Sequence, residues 1–132
     1  MYNGLHVHYT SNLNERKLGN LKELAEFMKN KNTRNPSQEQ LLDRKFKTSD
    51  GESAEETNQR MTNFFGRILN EYAGKKIAVV SHGGSIKFFL LNWCEVNKEV
   101  KLVYKNTVLN ITSPCLLKMT FRDNELNNIE QL

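Results

Sequence analysis

The run Lys76-Ile77-Ala78-Val79-Val80-Ser81-His82-Gly83-Gly84-Ser85-Ile86 constrains the fold of this chain more than any other stretch. A short apolar run rich in β-branched residues ends at Ser81 and His82, two glycines follow, and an apolar helical spacing (Ile86, Phe89, Leu90, Trp93) opens at Ser85. The pattern predicts a strand over about 76–81, a tight turn, and a helix over 85–94. In open α/β sheets, strand C-termini line the crevice that holds ligands, and a glycine turn into a helix N-terminus offers backbone N–H groups to an anion. A phosphate, with His82 beside it, is the guest that suits this arrangement.

The flanking sequence supplies the other elements of an α/β chain. Ser53-Ala54-Glu55-Glu56 is a capping box, and Met61, Phe64, Phe65, Ile68, Leu69 and Tyr72 recur at helical spacing behind it until Gly74 stops the helix. Upstream, Leu5, Val7 and Tyr9 alternate with His6, His8 and Thr10, the period of a half-buried strand, and Leu21, Leu24, Ala25 and Met28 predict a helix within 18–28. Residues 29–50 are polar and read as a mobile insertion near the site, with Leu41, Leu42 and Phe46 enough to dock one turn. Downstream, a helix is expected around 96–104, then strands over 108–111 and 116–121, a turn at 122–125, and a last short strand near Ile129.

Bulk properties exclude several function classes. At 132 residues and 38% hydrophobic, the chain is expected to be a single domain with a modest core. Its net charge of +4 comes from basic residues scattered among acids, without the stripe that marks nucleic-acid binding. No apolar run approaches the roughly 20 residues of a membrane span, and no signal-peptide pattern opens the sequence, so a cytoplasmic location with no membrane partner is expected. Cys94 and Cys115 have no metal-ligand spacing and read as reduced, buried thiols. Neither a Walker loop nor a Gly-x-Gly-x-x-Gly fingerprint occurs, and without a Gly-x-Ser-x-Gly elbow no serine is presented as a nucleophile. His6 and His8 have no Asp, Glu or Cys beside them, and they read as a partly exposed strand face, with no metal expected.

A second constellation points to the same crevice. Leu13-Asn14-Glu15-Arg16-Lys17-Leu18-Gly19 directly follows the first expected strand, which puts charged side chains at another strand end and brings Glu15 and His82 toward one site. Leu13-Asn14-Glu15-Arg16-x-x-Gly19, then Gly51-Glu52-Ser53 opening a helix that carries Arg60, then Val79-Val80-Ser81-His82-Gly83-Gly84, resemble the histidine phosphatase superfamily, the phosphoglycerate mutase-like fold. The similarity runs from Leu5 to about Phe121. It implies a three-layer α-β-α domain with a mainly parallel sheet. It implies Glu15 as proton donor and His82 as a pocket histidine contacting the transferring phosphoryl group, with Arg16, Gly83 and Gly84 binding substrate.

The chain departs from that family at its start. Members open with a central strand ending in Arg-His-Gly, whose histidine takes the phosphoryl group, and neither this motif nor the pocket arginine on the following helix occurs here. His6 and His8 lack the Arg-His-Gly context, so the nucleophile role passes to neither. The expected architecture is therefore an incomplete domain over 1–132 that misses the first β-α-β unit, and loss of a central strand would leave 76–81 with an unpaired edge. Self-association or a complementing N-terminal fragment is the expected remedy.

The implied function is phosphomonoester hydrolysis, absent or weak in the isolated chain, acting on a small phosphorylated substrate with no cofactor. The alternative is a non-catalytic phosphate-binding remnant or regulatory domain. Hydrolysis is preferred to a mutase reaction because the 29–50 segment gives no sign of an ordered lid. For Glu15 to donate a proton, its pocket is expected to raise its pKa, against the influence of Arg16.

Overall fold

The computed structural model describes residues 6–31 and 34–132. Among the described residues a 3-10 turn (Ser11–Leu13) precedes four helices, α1 (Leu21–Met28), α2 (Pro36–Leu42), α3 (Ala54–Glu71) and α4 (Gly83–Leu90). Five strands follow among the described residues: β1 (Glu95–Val96), β2 (Leu102–Tyr104), β3 (Thr107–Leu109), β4 (Leu117–Arg122) and β5 (Glu125–Gln131).

Local sequence accounts for most of these elements. The Ser53 hydroxyl accepts from the Glu56 amide while the Glu56 carboxylate accepts from the Ser53 amide, both at 3.1 Å, and α3 starts there. It ends at Glu71, and Gly74 takes the left-handed conformation that turns the chain back (φ +78°). Asn35 and Gln38 build a second capping box, with Pro36 at the first helical position, so the 29–50 segment holds the ordered helix α2 where a mobile insertion was expected. Its Leu41 enters the core, while Leu42 stays exposed and Phe46 stacks on Phe27 at 3.8 Å between ring centres.

The core lies between the helices and the two antiparallel sheets. Leu41, Ala54, Phe88 and Leu90 from the helices meet Leu102, Tyr104, Leu109, Ile111 and Ile129 from the C-terminal part of the chain. α3 packs on α4 through stacked Phe65 and Phe89 rings (4.3 Å) and through the Asn58 side-chain amide, which donates to the Phe88 carbonyl at 2.7 Å. Met61, 1% exposed, fills the space beneath. Cys94 is buried, and burial pushes its thiol pKa up to about 11, whereas Cys115, expected to be buried, is only half so.

One expectation is corrected in the C-terminal half. The helix expected around 96–104 is instead the hairpin of β1 and β2. The Asn97 side chain accepts from the Glu99 and Lys101 amides (3.0 and 2.9 Å), and this local bonding closes a turn that competes with helix. The remaining turns are tight. Lys105-Asn106 and Asp123-Asn124 all have positive φ, the mirror-image geometry that matches strand twist, so β2 pairs β3 and β4 pairs β5 through two-residue loops.

The mainly parallel, three-layer sheet does not form among the described residues. The chain mixes helices and strands, but every pairing is antiparallel, in a β1-β2-β3 sheet and a β4-β5 sheet. The segment expected as a strand over 76–81 pairs with nothing described, and Lys76–Val80 make no backbone–backbone hydrogen bond there. The alternating strand expected at the start fares the same way: Leu5 lies outside the described residues, and Val7 and Tyr9 are exposed. A run with strand propensity becomes a strand only when a neighbour takes its N–H and C=O groups. Beside 76–81 lies a groove of about 680 Å³, walled by Met61, Phe65 and Ile68 of α3, Ile77 and Val79, Phe89 of α4, and Leu117 and Met119 of β4. No helix among the described residues is long and apolar enough to cross a membrane.

Candidate active site

Three side chains grip consecutive carbonyls of the loop that presents Glu15. Arg60 of α3 donates from Nη1 to Asn12 O (2.6 Å) and Asn14 O (3.0 Å), and Ser81 Oγ donates to Leu13 O at 2.8 Å. Ser85 Oγ, 0% exposed as a residue, donates to Asn14 O at 2.7 Å. Arg60 is itself fixed by a two-pronged pair with Glu52 (2.9 and 2.8 Å), whose pKa burial raises but the Arg60 hydrogen bonds and charge bring below the ordinary value.

Held this way, the Glu15 carboxylate sits on the N-terminus of α4. The Gly84 amide donates to Oε2 (3.0 Å) and the Ser85 amide to Oε1 (2.8 Å), and the Arg16 amide also donates to Oε1 (3.0 Å). Arg16 Nη1 lies 3.3 Å from Oε2. The Glu15 carboxylate is therefore the anion on the helix N-terminus, in the place offered by sequence to a phosphate. Gly84 makes the approach feasible, because a Cβ there would lie 2.6 Å from both Glu15 Oε1 and Arg16 Nη1. At Gly83 a Cβ would meet nothing within 4 Å, so only the second glycine of the pair is required by packing.

The expected rise in the Glu15 pKa is also corrected. Burial raises it, but the amide bonds from Arg16, Gly84 and Ser85 and the Arg16 charge outweigh burial and hold the carboxyl below its ordinary 4.5. Glu15 is a carboxylate at neutral pH in this arrangement.

His82 is the N-cap of α4 in an extended conformation (φ −120°, ψ 155°), and its ring, which makes no capping hydrogen bond, is exposed. Gly83 is exposed beside it, and its N–H donates to no described backbone carbonyl, so one amide of the glycine pair stays available while Gly84's is taken. Arg16, expected to bind substrate, is drawn inward. Nε donates to Gln40 Oε1 (3.2 Å), Nη2 donates to Ser37 Oγ (2.8 Å), and the guanidinium lies 5.7 Å above the Phe88 ring. His6 and His8 are exposed, with ring centres 6.5 Å apart.

Sequence reasoning missed Ser37, Gln40, Ser81 and Ser85 as parts of this site. Ser81 and Ser85 flank the glycine turn and were legible in position but not in partner. Ser37 and Gln40 lie in the polar segment, where the Asn35-Pro36-Ser37-Gln38 start signal was the available clue. The loop after Arg16 is sealed against residues 48–52, since Thr48 Oγ1 donates to Leu18 O (2.7 Å) and the Glu52 amide donates to Lys17 O (2.8 Å). Gly19, at φ +76°, is required there, because a Cβ would strike Thr48 Oγ1.

The chain is thus a mixed α/β chain whose Glu-Arg loop is seated on a Ser-His-Gly-Gly helix start. The sequence model of the histidine phosphatase superfamily (branch 1) matches residues 2–126, and the chain belongs to that superfamily. No curated protein and no solved structure matches it to significance.

Proposed function

We propose that the chain is an incomplete phosphomonoester hydrolase domain, inactive or weak by itself. The single observation that carries this reading is the meeting of Glu15 with the Gly84 and Ser85 amides, directly after His82 and Gly83. In the proposed reaction an imidazole nitrogen bonds phosphorus as the ester P–O bond breaks, the leaving alkoxide takes its proton from the Glu15 carboxylic acid, and water then cleaves the N–P bond. His82 and the Gly83 amide face the transferring phosphoryl oxygens. Glu15 is ionised before substrate arrives. A phosphate dianion set against it disfavours its charge, and the proton needed for the leaving group is taken up on binding.

The order found in α2 removes the mobile-segment argument for hydrolysis over phosphoryl transfer. Exposure of His82 and Gly83 favours hydrolysis instead, since water has free access to a phosphorylated intermediate there.

The accepting imidazole is proposed to come with a complementing strand that carries the Arg-His-Gly motif. The groove beside 76–81, with its apolar wall of Met61, Phe65, Ile77 and Val79, together with the missing backbone partners of Lys76–Val80 among the described residues, supports that proposal. Occupied by such a strand, 76–81 would gain a neighbour and the parallel sheet of the family would follow. A non-catalytic phosphate-binding role is the second reading, favoured by the presence of His82 and a free Gly83 amide without an Arg-His-Gly histidine.

Hydrolysis of an aryl phosphate by the purified chain, beside His82→Ala, with circular dichroism confirming that both are folded, tests the proposal. No turnover alone, and turnover once an Arg-His-Gly segment is supplied, is the expected result. Phosphate-dependent stabilisation lost in His82→Ala, with no turnover in any combination, selects the second reading.

A further inference from the structure

We propose that Gln40, assisted by Ser37, is a positioning residue for Glu15: it holds the Arg16 guanidinium in one-nitrogen contact with the carboxylate and thereby ties the order of α2 to the reacting group. Gln40 is 3% exposed, and its amide has a single sensible orientation. Nε2 donates to Phe46 O (3.2 Å) and to Glu52 O (2.9 Å), so Oε1 must face the Arg16 Nε–H; the flipped amide would set donor against donor and oxygen against two carbonyls.

Gln40 thus stands where two clamps on the Glu15 loop join. One runs through Arg16 to Oε2 of Glu15. The other runs through Glu52, whose carbonyl accepts from Gln40 and whose carboxylate orients Arg60 on Asn12 O and Asn14 O. Three nitrogens of Arg16 are distributed among Gln40, Ser37 and Glu15. With its side chain 9% exposed, the guanidinium has little water to fall back on. Remove the Gln40 acceptor and Nε–H is left buried and unpaired, at a cost that drives the guanidinium outward to solvent and away from Glu15.

The charged and titratable groups around Glu15 are Arg16, the Arg60–Glu52 pair reaching in from α3, and His82 on α4. Of these, only Arg16 touches Gln40 directly with its side chain. The inference deepens the proposed function and rests on it only for the meaning of Glu15 as proton donor. Its test reads without turnover, so a failed phosphatase assay and a failed titration remain separate results.

The experiment is a 13C NMR titration of the Glu15 carboxyl in the whole chain, in Gln40→Met and in Ser37→Ala, with Gln40→Met repeated in an Arg16→Met background. Gln40→Met is expected to shift the Glu15 titration upward by on the order of half a unit or more. The shift should vanish in the Arg16→Met background, where no guanidinium remains to be held against Glu15. Ser37→Ala, which removes one partly buried hydroxyl and is the milder change, should shift it the same way by less, and it carries the test if Gln40→Met does not fold. An unchanged or lowered midpoint, or an equal shift with and without Arg16, overturns the proposal.

Discussion

Glu15 and Gly84, 69 residues apart in sequence, meet at 3.0 Å, with the carboxylate of one on the backbone amide of the other at the first turn of α4. The contact requires glycine, and this separates two residues that look equivalent in Gly83-Gly84. Alanine at Gly83 places its Cβ in open space and should be neutral or stabilising by up to about 1 kcal/mol, since alanine favours helix. Alanine at Gly84 pushes Glu15 off the helix start, and loss of its amide bonds should cost about 1–3 kcal/mol. Paired urea denaturation curves check the contrast, and equal effects from both substitutions would contradict it.

Acid should destabilise the chain through the same contact. Burial raises the Glu15 pKa, but the Arg16, Gly84 and Ser85 hydrogen bonds and the Arg16 charge leave it below 4.5, and Glu52 is lowered likewise against its own burial by Arg60. A group with a depressed folded pKa lends its stability in full above the unfolded value and loses it as pH falls through the folded value. Unfolding free energy should therefore hold level on the neutral side and drop as pH falls below about 4.5. Glu15→Gln should flatten part of that drop, as read from denaturation midpoints at a series of pH values.

Much of the site's wiring was legible in sequence because its signals are local. Ser53 and Glu56 lie within one helical turn, and the Ser81-His82-Gly83-Gly84 turn announces a helix start whatever surrounds it. The destination of the Gly84 amide was not legible, because it depends on where a loop 69 residues away puts a carboxylate. Nor was α2: its polar face reads as solvated until Gln40 finds Arg16, Phe46 O and Glu52 O. The strand expected over 76–81 failed for the converse reason, since strand propensity is local but the ladder belongs to two segments. At 96–104 the Asn97 side chain decided the outcome, a two-residue detail that apolar spacing does not weigh.

The two acidic residues of α3's start should separate by burial. Glu52 and Arg60 are each about one-fifth exposed and join the Glu15 loop to the helix, whereas Lys47 and Glu56 pair in the open, at 41% and 49% exposure. Arg60→Lys keeps the charge but loses the fork that reaches Glu52 and two carbonyls at once, and it should cost about 1–3 kcal/mol. Lys47→Ala should cost less than about 1 kcal/mol. Thermal melts of both variants test the ranking, which fails if the exposed pair proves the costlier.

Phosphate binding should take up a proton. Inorganic phosphate at His82 and the Gly83 amide brings negative charge beside a carboxylate already held below its ordinary pKa, and the pair relieves its repulsion by protonating Glu15. Calorimetric titration with phosphate in two buffers of different ionisation enthalpy should give different apparent heats, with the difference lost in Glu15→Gln. Identical heats in both buffers for the unmodified chain would mean that phosphate does not approach Glu15.

The unpartnered segment beside the groove makes the last prediction. Lys76–Val80 have no backbone–backbone hydrogen bond among the described residues, and Val80 is 86% exposed, so these amides should exchange with solvent at rates close to those of an unfolded chain. Amides of α3 and α4, packed through Phe65 and Phe89, should be protected at the same time. An added peptide with β-branched alternation ending in Arg-His-Gly should slow exchange over 76–80 and raise the melting temperature, because it supplies the ladder partner and covers Ile77, Val79 and Met119. Without it, the chain should associate with itself as concentration rises, since an open edge beside a groove invites a second copy. Slow exchange over 76–80 in a strictly monomeric sample with a sharp two-state melt would mean that the segment is already satisfied, and the complementing strand would then have no place to bind.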